Sequence, residues 1–548
     1  MNRHMRMPFT QQVDVYAKIF IAQLEKKKLW FLCLVSILYL IVTGLLAWEK
    51  LLWNDELFTL YISRLSTLDD VWSALMTGAE QLPPFFYVIT RTSFALFGLN
   101  NISIRLPEVL GFWVMSLCLF RFVSVRSSAL YGYVAMLFPL VTGAYSYAYE
   151  ARPYALVLGF SGLALVCWQS AADRRRRKFS LICLTLSLAA AVSNHYYAVF
   201  VFLPLALGEL VRSFSLRRVD TPIWGAFGVA VTPLLLYLPL IERARNYSLA
   251  FWAQTDWMAI TKFYYFLLAP ALLPLMVIPV LLVLDPATHG QHQRSRSAAP
   301  LHEMVAAFGF ITIPVVAFIL AKLVTGAFTD RYALPAVIGF SIFIAFAAYK
   351  LLDGRAIMAA ALLLSLCGGF MMMAVKSFQE TVAARMRQAE TNKFLQSERE
   401  SGLPIVVSDP HTFIMLAHYG SQDVASRVLY LADPAASLRY LGHNSVEKGM
   451  LDLQKPWFHL PIEEYGPFVA SRPRFFVYGS PGHFLNWLMT DLATSRRRIE
   501  LRGKNKDSLL FLVSPSHRSE GDALYGTVEA SPLDGGKTDA RPGRVQRR

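Results

Sequence analysis

The sequence predicts a polytopic α-helical membrane protein of about eleven transmembrane helices, with interfacial helices in its first outer loop and a small α/β domain at its C-terminal end. Three observations carry this. Of the 548 residues, 55% are hydrophobic and 17% charged, with a mean hydropathy of +0.40; a soluble chain carries more charge than this. Apolar runs recur from Trp30–Trp48 to Ala356–Val375, each near the ~20 residues that a bilayer span needs. Past Val375 the composition turns polar.

Backbone groups in lipid must pair within their own segment, so the apolar runs are helices. By hydropathy they fall at 30–48, 104–121, 128–145, 153–171, 179–193, 197–211, 223–241, 262–284, 304–324, 332–349 and 356–375. The first has no small-residue cleavage site after it and reads as a retained signal anchor. Pro83–Gly98 is apolar but short, opens on two prolines and carries Arg91 in its middle. It reads as an interfacial helix, because only then do the basic clusters share one side. These are Arg3 to Lys28, Arg121/Arg126, Arg174–Lys178, Arg212/Arg217/Arg218, Arg294/Arg296 and Lys350/Arg355. The positive-inside rule puts that side in the cytoplasm. The N-terminus is then inside and the C-terminal domain outside a plasma or inner membrane.

The expected organisation is a basic cytoplasmic N-terminus over 1–29, a transmembrane domain over 30–375, an extracytoplasmic α/β domain over 376–513, and a disordered tail over 514–548. In the third part Lys376–Gly402 reads as a charged helix. Ile405–Ser408, Val428–Leu431, Phe475–Tyr478 and Leu509–Val513 read as strands. The tail is rich in Gly, Ser, Pro and Arg. The net charge of +15 follows from the cytoplasmic basic clusters, and no nucleic-acid motif accompanies it. The five cysteines lie in apolar runs without metal-ligand spacing, which argues against a disulfide framework.

The residues that can carry chemistry share the outer side. Asn54-Asp55-Glu56 follows the first span and opens an amphipathic stretch. A carboxylate held there, Asp55 first, can take a proton from an acceptor hydroxyl, whereas the plain alternative is acids resting in the headgroup zone. Glu80 precedes the stiff Pro83-Pro84 turn and reads equally as a solvated loop acid. The segment Tyr145–Tyr154 holds Tyr149, Glu150, Arg152 and Tyr154. An aromatic belt explains tyrosines there but not an acid and a base at the same depth. His195 and Tyr196 lie between two spans. Arg331, followed by Tyr332, and Arg105 are interfacial anchors or ligands of a phosphate. Carboxylates suit removal of a proton, and arginines suit a departing phosphate. No Gly-rich phosphate loop is present to hold a nucleotide, so a lipid-linked donor fits better.

These segments together resemble the GT-C glycosyltransferases that use polyprenyl-phosphate sugars, the protein O-mannosyltransferase and aminoarabinose-transferase superfamily. Asp55-Glu56 is similar to the acidic pair of the first outer loop. Glu80 with Pro83-Pro84 is similar to an acid–x–His–Pro–Pro element, with Leu82 where that family has histidine. Arg105-Leu106-Pro107, Glu150-Ala151-Arg152-Pro153-Tyr154, His195-Tyr196-Tyr197 and Arg331-Tyr332-Ala333-Leu334-Pro335 match further elements in order, over roughly residues 30–350. The resemblance implies a GT-C-like fold and an inverting transfer from a polyprenyl-phosphate sugar to a glycan, lipid or protein acceptor. It implies Asp55 as base, with Glu56 and Glu150 as further catalytic candidates. Glu80, Arg105, Tyr149, Arg152, Tyr154, His195, Tyr196, Arg331 and Tyr332 are implied as substrate ligands. No metal ligand is assigned, and a divalent metal is left open. The rival readings are a transporter or lipid flippase, which would show inverted repeats and broken helices at the midplane, and a non-catalytic envelope assembly protein.

Overall fold

A computed structural model describes residues 9–247, 256–284, 299–325, 329–352, 354–398, 402–495 and 497–515. The Arg294/Arg296 cluster and the tail beyond residue 515 lie outside the described residues. The membrane part opens with α1 (Phe9–Lys26) and α2 (Lys28–Glu49), the first apolar run. Three helices follow in the loop after it: α3 (Asn54–Ser63), α4 (Leu68–Leu75) and α5 (Pro84–Phe97). The two segments expected as interfacial are therefore helical, α3 beginning at Asn54 and α5 on the rigid Pro84.

Next come α6 (Asn101–Ser124), α7 (Ala129–Leu137), α8 (Tyr154–Ala172), α9 (Arg177–Asn194) and α10 (Phe202–Leu216). The bent segment of α11 (Thr221–Ala230), α12 (Pro233–Leu236) and α13 (Leu238–Asn246) follows. The last membrane helices are α14 (Met258–Leu275), α15 (Val277–Leu284), α16 (Leu301–Leu320), α17 (Ala336–Leu352) and α18 (Ala356–Gln396). Among the described residues, seven helices are long and apolar enough to cross a membrane, or nine if each of two bent pairs is one span. The other two expected segments are present as α9 and α17, of 18 and 17 residues. Length and composition thus stop short of the expected eleven.

The bent pairs break where proline sits. Ala129–Val141 turns by 78° into Gly143–Tyr149, and Pro139 lies in the short turn Phe138–Val141 just before the break, where it removes a backbone donor. Thr221–Leu236 turns by 59° into Leu238–Asn246, between Pro233 and Pro239. Helices α6 and α8 meet backbone to backbone. A Cβ on Gly111 would lie 2.6 Å from the Ala155 carbonyl oxygen, and one on Gly159 would lie 2.6 Å from the Gly111 carbonyl oxygen. Small residues of this kind let membrane helices approach backbone to backbone.

The charged groups sort to two ends. At one end Arg126 meets Glu303 and Asp173, and Arg177 and Arg212 share Asp220. These are the basic clusters expected on the cytoplasmic side. The acids and arginines expected on the other side gather at the opposite end.

Helix α18 joins the two domains without a break. Its 41 residues span ~60 Å at 1.5 Å per residue, so the last apolar run and the charged helix after Lys376 are one rod. Beyond it stand β1 (Ile405–Val407), α19 (Pro410–Tyr419), β2 (Val428–Ala432), β3 (Ile462–Glu464), β4 (Phe475–Gly479), β5 (Arg498–Asn505) and β6 (Ser508–Ser514). The sheet order is β3-β2-β1-β4-β6-β5. Its first four strands are parallel, and β6 and β5 run antiparallel. All four expected strands are present. The two unexpected ones lie at the sheet edges: β3 is three residues long, and β5 alternates charge with two exposed apolar residues, Ile499 and Leu501.

The soluble domain rests on α3. The Leu52 N–H donates to the Tyr419 hydroxyl at 2.7 Å, and Tyr61 bonds His418 at 3.1 Å. Ile414 of α19 packs with Leu52, Leu57, Leu60, Ile104 and Ala151.

Candidate active site

Helix α3 places Asp55 and Glu56 on neighbouring positions with opposite surroundings. Glu56 points inward and is fully buried. Arg105 grips it with Nε at 2.6 Å and Nη2 at 2.8 Å, and the Ala151 N–H donates to it at 2.7 Å. The remaining Arg105 donors go to the carbonyls of Ala47, Lys50 and Leu51 at 2.7, 2.7 and 3.0 Å. All five guanidinium hydrogens are thereby occupied. Arg105 was expected as a phosphate ligand and Glu56 as a catalytic acid. The geometry instead makes the pair an internal clamp, joining the end of α2, the start of α3, α6 and the 150–153 segment. Burial raises the Glu56 carboxyl, but Arg105, Lys50 and the Ala151 N–H outweigh it and hold it below the usual carboxylate range.

Asp55 points the other way and keeps an 18% exposed side chain. Arg331 bonds its Oδ2 directly. The Arg152 Nε stands 4.0 Å from the same oxygen, and Asn54 donates to Oδ1 at 3.1 Å. Burial pushes the Asp55 carboxyl up, and the Arg331 and Arg152 charges reverse that to about 2. Arg152 also reaches Glu80 at 3.3 Å and the Asp55 carbonyl at 3.3 Å, and its Nε has no hydrogen-bond partner.

Glu150 behaves differently. Its Oε2 is 3.6 Å from Lys50 Nζ, and its Oε1 has no partner. Burial raises its carboxyl, the Lys50 charge opposes this, and Glu56 adds to the rise; the net direction is up.

Aromatic rings line the rest. The Arg331 guanidinium lies 5.9 Å from the Trp53 ring and 5.7 Å from that of Tyr154. His195 sits 5.5 Å from Tyr154 and 5.0 Å from Tyr332, and Tyr332 stacks on Tyr197 at 4.3 Å. Burial, with the Arg152 and Arg331 charges, lowers the His195 imidazole to about 3, so it is neutral near pH 7. Tyr149 stands apart from this group, bonding Ser377 at 3.0 Å beneath Lys50. Tyr196 turns toward Tyr237 at 6.3 Å.

Asp55, Glu80, Glu150, Arg152, Tyr154, His195, Arg331 and Tyr332 therefore meet at one place. Two further participants escaped the sequence reading. Lys50 bridges Glu56 and Glu150, and a lone lysine at a span end reads as an anchor. His411, from the soluble domain, lies near enough to feel the charges of Asp55 and Arg331, and no local pattern marks it. Among the described residues no group of three His, Cys, Asp or Glu side chains has the arrangement to hold a metal ion.

Residues 81–242 match the family described as Dolichyl-phosphate-mannose-protein mannosyltransferase. The match includes Arg105, Glu150, Arg152 and His195 but not Asp55 or Arg331. Two structures of ArnT from Cupriavidus metallidurans have the same fold. The apo form aligns over 88% of this chain and 97% of its own, at 11% identity and a TM-score of 0.54. The form bound to undecaprenyl phosphate aligns over 89% and 98%, at 12% identity and a TM-score of 0.52. No curated protein matches the chain. With a glycosyltransferase family matched over part of its membrane domain and the ArnT fold around it, the chain resembles membrane glycosyltransferases of the GT-C fold.

Proposed function

We propose that the chain moves a sugar from a polyprenyl-phosphate donor to an acceptor hydroxyl at the extracytoplasmic face, with inversion at the anomeric carbon and Asp55 as general base. The observation that carries this is the placement of Asp55, a solvent-reaching carboxylate clasped by Arg331 and Arg152. The same two arginines suit the donor phosphate. A fold relative crystallised with undecaprenyl phosphate supports a lipid of this class. So does an apolar groove of about 510 Å³ between α5, α6 and α8, lined by Val88, Leu106, Leu110, Leu156 and Phe160, where an isoprenoid tail can lie.

A carboxylate at about 2 is a weak base, since efficient proton transfer needs a pKa closer to the working pH. Donor binding resolves this. The phosphate draws Arg331 and Arg152 toward itself, and Asp55 loses the charges that lower it while burial continues to raise it. The acceptor O–H then gives its proton to Asp55, its oxygen bonds to the anomeric carbon, and the carbon–phosphate oxygen bond breaks. The extra negative charge on the departing phosphate falls to the arginines.

A second reading gives the proton to Glu150, whose carboxyl is already raised and whose Oε1 is unengaged. Asp55→Asn and Glu150→Gln separate the two. In transfer assays with lipid-linked sugar, loss of the base lowers kcat at least ~100-fold. We expect that loss for Asp55→Asn and a smaller one for Glu150→Gln. Undiminished transfer by Asp55→Asn would remove Asp55 from the role.

A further inference from the structure

The C-terminal domain carries a crevice of its own, and the helix that leaves it, α19, packs against α3. From β1 the chain proceeds to β2 and β3 on one side of the sheet, then crosses to β4 on the other side of β1. The strand order reverses between β1 and β4, and in open α/β sheets the carboxyl ends at such a point are where ligands bind.

Ser408 and Asp409 follow β1 there, and β4 ends at Gly479 and is followed by Ser480 to Trp487. Asp409 is 1% exposed. It accepts from the Thr412 N–H at 2.9 Å, which caps α19, and its Oδ1 lies 3.6 Å from His483 Nε2. The Ser408 hydroxyl is buried without a hydrogen-bond partner. It fills the space where a Cβ on Gly479 would stand, 2.0 Å away. The His411 ring is 5.5 Å from His483 and 6.0 Å from Phe484. Phe484 stacks on His483 at 5.0 Å, yet leaves 60% of itself exposed. An aromatic face left in water beside two imidazoles and a carboxylate, in a domain whose other aromatics are largely packed, marks a binding surface rather than core.

We infer that this crevice is the acceptor subsite: a neutral sugar ring of the acceptor stacks on Phe484 and bonds His411 and His483 through its hydroxyls, with the buried Asp409 beside His483, and is thereby held with its reacting hydroxyl toward Asp55. The chemistry selects a neutral ring over a phosphate. Burial lowers the His411 imidazole, and the Asp409 charge only partly restores it, while the buried Asp409 carboxylate beside His483 disfavours an anion. Helix α19 is the link between the two sites, because His411 at its start faces the crevice while Ile414, one turn on, packs beside Leu52 and Leu57 on either side of Asp55. Recognition of the acceptor by the soluble domain and of the donor by the membrane domain would then meet at one carboxylate.

The inference rests on the glycosyl transfer proposed above, and the test separates the two. Full-length protein in lipid nanodiscs is given lipid-linked sugars extracted from a strain lacking this chain. Hydrolysis of the donor by water is measured alone, and transfer is measured to envelope glycan from the same strain. Phe484→Ala and His483→Gln should raise the acceptor KM at least tenfold. Donor hydrolysis should stay within twofold of the unaltered protein. Leu501→Ala removes a similarly exposed side chain, 57% exposed on β5, and should change neither. An acceptor KM within twofold of the unaltered value in both variants overturns the subsite and leaves the transfer intact. A parallel fall in donor hydrolysis also overturns it, since the residues would then serve the membrane site. Absence of both hydrolysis and transfer in the unaltered protein overturns the transfer reading and the subsite with it.

Discussion

Asp55 and Glu56 are adjacent in the chain and end in opposite circumstances, because successive residues of α3 are rotated by about 100°, which puts one on the cavity and the other on the core. Glu56 is neutralised by an arginine that has no donor left to give. Removing one partner of such a buried pair leaves an uncompensated charge and costs about 3–5 kcal/mol. Arg105→Met is therefore expected to lower the unfolding temperature in detergent and the yield of folded protein, more than Arg152→Met does. Equal behaviour of the two variants would contradict the clamp. For Asp55 the pH dependence has a definite sign. In the free protein its carboxyl sits at about 2, so it is ionised throughout the working range, and kcat/KM shows no acid limb from it above pH 4. If the donor phosphate draws the arginines away as proposed, the pKa rises in the donor complex, and kcat is expected to fall as pH drops through a limb at higher pH. Matching acid limbs in kcat and kcat/KM would rule out the exchange of partners. The residue types of this site were legible as a list: acids and arginines at span ends on one side. Which of them face the cavity was not, because Asp55 and Glu56, or Arg105 and Arg152, look alike until the helix is turned and packed.

At the scale of elements, the site depends on how closely α6 and α8 approach. Arg105 stands on α6, while Arg152 and Tyr154 stand at the start of α8. The pair is held at backbone contact by Gly111 and Gly159. Gly159→Leu would push the helices apart by the width of a side chain and displace both arginines. The expected result is loss of transfer together with lowered thermal stability, whereas overpacking without displacement would cost only ~1–3 kcal/mol. Helix α19 makes the second essential contact, through Ile414 against α3. Ile414→Ala should cost about 2–5 kcal/mol of packing and expose the soluble domain to limited proteolysis sooner than the membrane domain. Resistance identical to that of the unaltered protein would show that other contacts hold the domains together. Apolar runs made the long helices readable, and alternation with turn residues made four strands readable. The edge strands β3 and β5 were not readable, because an edge pairs on one side only and carries little hydrophobic pattern.

Over the whole molecule, charge divides into two poles. Arg126, Arg177 and Arg212 tie the loops at one end, and the site with the soluble domain above it occupies the other. The positive-inside rule assigns the first pole to the cytoplasm. A phosphatase reporter fused after Pro515 is expected to be active only outside the cytoplasm; activity confined to the cytoplasm would invert the assignment. The rival reading as a transporter predicts charged groups working at the midplane between repeats. The cluster of Asp55, Arg152 and Arg331 stands instead at the end of the spans, beneath a folded domain.

By itself the sequence determined the membrane class, the positions of the helical segments, the common side of the acids and arginines, and the resemblance to GT-C transferases. Hydropathy and charge bias act through composition, which is local, so they survive without a structure. The tertiary structure alone decided that Arg105 is spent on Glu56, that Lys50 reaches Glu150, that α18 is one unbroken rod, and that His411 stands near Asp55. These are contacts across tens to hundreds of residues, set by the rotation of helices and the docking of one domain on another, and nothing in the neighbouring residues encodes them.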